Sequence, residues 1–208
     1  FPAENESSLA QASSIIILAV KPDTVCSVLR SIRSSCKGRT IVSIAAGVTI
    51  AQLEEAAGDD IAVIRVMPNT PALIGAGMSV LSAGNHATGD DIAAAEFVFA
   101  SVGRTMILPE KHIDAVTAVS GCGPAYVFTV IQAMADAGVK LGLSRADAVT
   151  LASQTLVGSA AMVLNGTADP IALRNMVTSP GGSTIAAVHV LERAGFAGII
   201  MDALEKAA

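Results

Sequence analysis

The residues best suited to hold a small anion are Ser179-Pro180-Gly181-Gly182-Ser183-Thr184. Pro180 suits a turn or the first position of a helix. Gly181 and Gly182 carry no side chain, so a ligand can come close to the main chain. Apolar residues follow from Ile185 at helical spacing. The first N–H groups of such a helix have no internal partner and lie at the positive end of its dipole. A small carboxylate can rest there, with the hydroxyls of Ser179, Ser183 and Thr184 converging on it. The same residues also read as an ordinary helix start behind a turn.

A second set lies earlier. Ala19-Val20-Lys21-Pro22, Ala45-Ala46-Gly47 and Met67-Pro68-Asn69-Thr70-Pro71 each follow a short apolar run. In open parallel sheets, ligands bind at the carboxyl ends of strands. Small residues there let a flat ring lie against the main chain. Each turn alone reads as a routine β–α connection; three at one edge point to a nucleotide cofactor. No G-x-G-x-x-G follows a first strand, and no G-x-S-x-G, HExxH or P-loop is present. His86, His112 and His189 lack nearby ligand partners, so no metal site is expected. Cys122, between Gly121 and Gly123, has no His close in sequence and reads as a small buried thiol.

These residues need elements to position them. Ser14–Val20, Arg39–Ile44 and Ile61–Met67 are short, β-branched runs that read as strands, the first two of a kind buried on both faces. Gly77–Ala83 and Arg104–Leu108 read as two more. Helices are expected at Asp23–Arg33, at Ile50–Ala57 with Thr49 as its cap, and at Asp90–Ser101. Alternating strands and helices imply a mostly parallel, doubly wound sheet. From Ile113 onward only helices are expected, near Ile113–Val119, Pro124–Lys140, Arg145–Asn165, Pro170–Val177, Thr184–Ala194 and Phe196–Lys206. The domain boundary falls near Pro109-Glu110.

Composition narrows the partners. The chain has 208 residues, 52% hydrophobic, 15% charged and 3% aromatic, with a net charge of −5 and a pI of about 5.1. There is no basic cluster and little to stack on bases, so nucleic-acid binding is not expected. Mean hydropathy is +0.60, yet Ala115–Ala135 and Ala148–Gly166 are interrupted by glycine, proline and hydroxyl residues. They read as helices buried in a core or subunit interface, not as membrane spans. Ala133, Ala135, Ala137, Ala160 and Ala161 permit close helix approach, and so apolar a region would expose a large patch alone. A homodimer is expected. The polar, acidic N-terminus has no signal-peptide pattern. Cys26, Cys36 and Cys122 form no CxxC and fit reduced thiols of a cytoplasmic protein.

The chain resembles the pyrroline-5-carboxylate reductases. The resemblance is carried by Leu18–Pro22, Ser43–Thr49, Arg65–Ala72, Ser120–Phe128 and Thr178–Ile185, in family order from about Ile15 to the end. Two departures stand out. The family's N-terminal strand and Gly-rich phosphate loop have no counterpart, and Cys122 stands where serine is common. The resemblance therefore implies an α/β fold: a truncated Rossmann-like parallel sheet over residues 1–109, the remainder of a dinucleotide-binding domain. An all-helical domain for substrate binding and dimerisation follows over 110–208.

By the same resemblance, the activity is NADPH- or NADH-dependent reduction of 1-pyrroline-5-carboxylate to L-proline. Ala19, Val20, Lys21 and Pro22, with Ile44, Ala45 and Ala46, would line the nicotinamide-ribose side. Met67 and Asn69 would lie near the ring, with Glu110 a further cofactor-side candidate. Ser179, Gly181, Gly182, Ser183 and Thr184 would bind substrate, chiefly through the amides of Gly182, Ser183 and Thr184. The Thr184 hydroxyl would reach the ring nitrogen and act in catalysis. The family forms dimers, often assembled into rings. An inactive oligomerisation or carboxylate-binding fragment of such a reductase is the alternative.

Overall fold

The computed structural model describes residues 5–58, 60–166 and 168–208. Phe1–Glu4, most of the acidic N-terminus discussed above, lie outside the described residues. The chain divides into two compact units, Phe1–Pro124 and Ala125–Ala207.

The first unit is built on five strands in the order β1 (Ile15–Leu18), β2 (Thr40–Ser43), β3 (Ala62–Met67), β4 (Gly77–Ala83) and β5 (Gly103–Ile107). Three pairings are parallel; β3 and β4 are antiparallel. The reason is the link. Pro68–Ala76 holds only a 3₁₀ turn, Thr70–Ile74, whereas a parallel crossover needs about a dozen residues or more.

Alternation along β2 and β3 sends side chains to two cores. Ile41 and Val63 meet Val25, Leu29 and Ile32 of α2 (Pro22–Ile32) and Leu53 of α3 (Ile50–Ala57). Val42 and Ile64 meet Ala95 and Phe99 of α4 (Gly89–Ala100) on the other face. β2 is therefore buried throughout. β1 is not, contrary to its sequence pattern: Ile16 and Leu18 are buried, but Ile17 is 42% exposed. At the sheet edge, β1 leaves Ile17 open, although Ile15 on the same side packs at the margin of the second core.

Local sequence explains the helix starts. Thr49 and Thr88 each form a capping box, with Gln52 and Asp91, satisfying otherwise free amides. An N-terminal helix, Glu6–Ala12, was not anticipated; Asn5 and Ser8 form its box. Including it, the next helix of this unit is the fifth, α5 (Ile113–Val116), which runs into a π-helical turn at Thr117–Gly121. The spatial division falls later than Pro109-Glu110. Glu110 bonds to Arg65 and Ile50, and Ser120 to Asn69, so residues 110–121 pack with the sheet.

The second unit is helical: α6 (Gly123–Lys140, beginning just before it), α7 (Arg145–Leu164), α8 (Pro170–Met176), α9 (Ser183–Arg193) and α10 (Phe196–Ala207). Gly138 lets α7 approach α6: a Cβ there would lie 2.9 Å from that of Ala148. Buried apolar residues described here are only Ala135, Ala148 and Ala152. Among the described residues, Glu110–Lys140 and Arg145–Leu164 are long and apolar enough to cross a membrane, each reaching a mean hydropathy of 1.3. This differs from the sequence expectation. Glycine and hydroxyl residues interrupt the run without lowering its mean far enough.

Candidate functional site

In the first unit, the three suspected turns do gather at one sheet edge. Parallel register places Leu18 beside Ser43, and Ser43 beside Arg65. The Ile44 amide donates to Leu18 O at 3.2 Å, so Ala19 and Ile44 begin adjacent turns. Ala19, Val20, Lys21 and Pro22 are exposed; Ala45 is buried, while Ala46 and Gly47 are open. Gly47 takes φ +75, a left-handed conformation that suits glycine. Ile44 and Asn69 line one cavity of about 440 Å³, with Gly121 on its wall.

Asn69 is committed within the protein. Its Oδ1 accepts from the Met78 amide at 2.8 Å, and its Nδ2 donates to Ser120 O at 3.1 Å. It ties the end of β3 to the start of β4 and to the π turn. Gly121 brings the π turn close to β3: a Cβ there would fall 2.5 Å from the Met67 methyl. Sequence reading singled out Ser120–Gly123 but missed the π turn, closed by Cys122 N to Thr117 O at 2.7 Å. Such turns are frequent at functional sites. Cys122 is half-buried rather than buried, and unpaired. Burial instead raises the thiol pKa of Cys36.

Glu110 is likewise engaged. Its Oε1 accepts from Arg65 Nη1 at 2.9 Å and from the Ile50 amide at 2.7 Å. Arg65, nearly enclosed on β3, was missed as a partner; an arginine inside an otherwise apolar strand was the available signal.

In the second unit, Val177–Gly182 joins α8 to α9. Thr178 Oγ1 donates to the Arg174 and Asn175 carbonyls. Across the base, Arg174 pairs with Glu192 at 2.9 Å. Gly181 has φ +69. The Gly182 amide donates to Ser179 O at 3.0 Å. This revises the expected donor set: Gly182 N is used by the turn, which leaves Ser183 and Thr184 at the open helix start. Ser179, Ser183 and Thr184 are exposed. Gly182 also has a local reason: a Cβ would lie 2.5 Å from Ser179 Oγ.

Helix caps differ from start to start. Asn5, Thr49, Thr88, Ser144 and Asp169 cap their helices with side chains. α2, behind Lys21, the short α5, behind His112, and α9, behind Gly182, have no side-chain cap. The first and the last of these begin at residues singled out for ligand binding. Among the described residues, no group of three or more His, Cys, Asp or Glu side chains gathers as a metal site would require.

Comparison with known proteins adds a second line. Residues 110–208 match the family model described as pyrroline-5-carboxylate reductase dimerisation. Residues 2–47 match that described as NADP oxidoreductase, coenzyme F420-dependent. The chain is 47% identical to the pyrroline-5-carboxylate reductase of Escherichia coli over 205 residues, 98% of this chain and 76% of that protein. It is 45% identical to the Arabidopsis thaliana enzyme, over 96% of this chain and 72% of that one. A crystal structure of Plasmodium falciparum pyrroline carboxylate reductase with NADP bound superposes with a TM-score of 0.88 at 36% identity, covering 100% of this chain and 82% of that one.

Proposed function

The chain belongs to the pyrroline-5-carboxylate reductase family, and from that premise we propose that it reduces 1-pyrroline-5-carboxylate to L-proline with NADPH or NADH. The observation that carries the reading is the uncapped start of α9 at Ser179–Thr184. A five-membered ring with one carboxylate suits it. The carboxylate rests on the Ser183 and Thr184 amides, favoured by the helix dipole, with Ser179 beside it. Gly181 and Gly182 keep side chains out of the way. Thr184 Oγ1 bonds the ring nitrogen and orients it.

A reduced nicotinamide, when bound, supplies a hydride to the imine carbon. The C=N electron pair then settles on nitrogen, which keeps the proton of the protonated imine. No nucleophile is needed; positioning is the main demand. The residues fit the ring: Ala19, Ala45 and Ala46 offer small side chains, and the chain is exposed at Ala19, Val20, Lys21, Pro22 and Ala46, with Ile44 beside them. Met67 and Asn69 would lie near the ring. We assign residues 1–109 to the cofactor side and 110–208 to substrate binding and dimerisation. The exposed apolar helices serve contact with a second copy, in a dimer or larger ring, and neither membrane nor nucleic acid is a partner. Three unpaired thiols support a cytoplasmic enzyme.

The test is an assay of the native protein that carries this sequence, following cofactor oxidation and proline formed. Thr184→Ala should lower kcat by roughly 2- to 13-fold, the loss of one hydrogen bond worth about 0.5–1.5 kcal/mol. Gly182→Val should do worse, because its side chain collides with Ser179 and moves the turn. Full kcat/KM in both folded variants would make this loop an ordinary helix start and sink the reading.

A further inference from the structure

We propose that Glu110 is a positioning residue that fixes the cofactor-side turn from both ends through Arg65 and the Ile50 amide. The inference rests on the reductase reading and deepens it.

The turn runs from Ile44 to Thr49. At its start, Ser43 closes β2 in register with Arg65 of β3, and the Ala45 amide donates to Ser43 Oγ at 3.3 Å. At its end, Thr49 caps α3, and the first helical amide, Ile50 N, donates to Glu110 Oε1 at 2.7 Å. That same oxygen accepts from Arg65 Nη1 at 2.9 Å. One carboxylate oxygen thus joins the strand beside the turn's start to the amide behind its end. Between these points Ala45 and Val48 are buried, while Ala46 and Gly47 present open main chain.

The energetics favour keeping Glu110 there. The Arg65 side chain is 7% exposed, and a charge so enclosed is costly without its partner. A carboxylate at a helix N-terminus is favoured by the dipole. Both bonds fall on the same oxygen, Oε1. Hydride transfer is sensitive to placement: a shift of about 1 Å can cost about a hundredfold in rate.

Glu110→Gln keeps an acceptor for Ile50 N and removes the charge facing Arg65. In the native protein carrying this sequence, it should raise the KM for NAD(P)H about tenfold and leave the KM for pyrroline-5-carboxylate within about twofold. Amide exchange should quicken at residues 44–52 and stay unchanged in α4 and in residues 125–207. Arg65→Lys should act in the same direction. The double variant should be no worse than the worse single, because both break one junction. Glu110→Asp, which retains the charge, should fall between wild type and Glu110→Gln, and serves if the glutamine variant fails to fold. Additive effects would mean that Glu110 acts apart from Arg65 and would overturn the proposal. So would equal rises in both KM values with faster exchange throughout, which is loss of stability alone. A wild-type protein without reductase activity sinks the reductase reading; the exchange pattern then still decides the junction.

Discussion

The two units solve burial in opposite ways. The sheet unit encloses Leu29, Ile41, Leu53, Ile64, Leu81 and others completely, with helices on both faces. The helical unit buries three alanines among its described residues, while Phe128, Leu151, Val157, Ile171, Ile199 and Met201 stand at least half exposed. The first carries its own core. The second leaves apolar faces that lower free energy only when covered. Its match to a dimerisation family fits that contrast: one unit carries its own core, and the other leaves apolar faces of the kind a second copy would cover.

Charge placed on the two surfaces should break the comparison most strongly if it is wrong. Phe128 on α6 is 62% exposed and Phe97 on α4 is 82% exposed. Phe128→Asp should dissociate the protein and melt the helical unit. Each copy forfeits about 1.5–3 kcal/mol of side-chain burial, on top of the cost of enclosing a charge. Phe97→Asp should leave mass and melting nearly unchanged. Light scattering with circular dichroism decides: a stable, well-folded monomer of the Phe128 variant would show that the helical unit needs no partner.

Legibility in the sequence follows the same contrast. The strands were readable because β-branched runs such as Ile15-Ile16-Ile17 and Ala62–Val66 are short and bounded by Pro, Gly or Asn. Thr49 announced α3, whose Ile50–Ala57 span matched. In the second unit, the expected limits Arg145–Asn165 and Pro170–Val177 fall within one residue of those observed, but the Ser144 and Asp169 caps in front of them were not singled out. What could not be read were pairings far apart in sequence. Nothing local tells Glu110 that Arg65 and Ile50 N are its partners, or Asn69 that it will hold Ser120 and Met78. The antiparallel β4 was implicit in the short Pro68–Ala76 link. The exposed face of β1 was hidden, because an edge strand and a central strand can carry the same residues. Ser179–Thr184 was legible as chemistry, yet the use of the Gly182 amide by the turn appears only in three dimensions.

Two glycines sharpen the comparison at a smaller scale. A Cβ on Gly138 would meet Ala148 Cβ at 2.9 Å, a stiff neighbour on the facing helix. A Cβ on Gly121 would meet the terminal methyl of Met67 at 2.5 Å, and a methionine can swing away. Gly138→Ala should therefore destabilise by about 1–3 kcal/mol through overpacking, less the helix-propensity gain of about 1 kcal/mol. Gly121→Ala should cost less in stability and be felt instead at the Asn69 cavity. Thermal melts of both variants, measured together, check the order. If Gly121→Ala is the more damaging, the π turn is stiffer than the helix contact and the contrast is wrong at this point.

The smallest effect concerns two aspartates, one in each unit, both held below the usual carboxylate range. For Asp91, partial burial works against ionisation, but hydrogen bonds from Thr40, from the Thr88 hydroxyl and from the Thr88 amide outweigh it. For Asp136, the main cause is a hydrogen bond from Arg145, with Gln132 adding to it. A depressed folded pKa means stability that is fully present above the unfolded value, about 3.9. It is lost as pH falls through the folded value beneath that. Asp91→Asn should lower Tm at neutral pH by about 2–4 °C, the scale of one polar contact in a chain this size. The gap to wild type should close below about pH 4. Asp136→Asn should do less, because its carboxylate and Arg145 are both about half exposed and surface pairs contribute little. Salt separates the two. In about 1 M salt the screening length falls to about 3 Å, so the Asp136 effect should vanish while the Asp91 effect, carried by short contacts to hydroxyls and an amide at the foot of α4, should persist. Equal salt sensitivity in the two variants would mean that the sheet unit's buried polar junction is no better shielded than a surface ion pair.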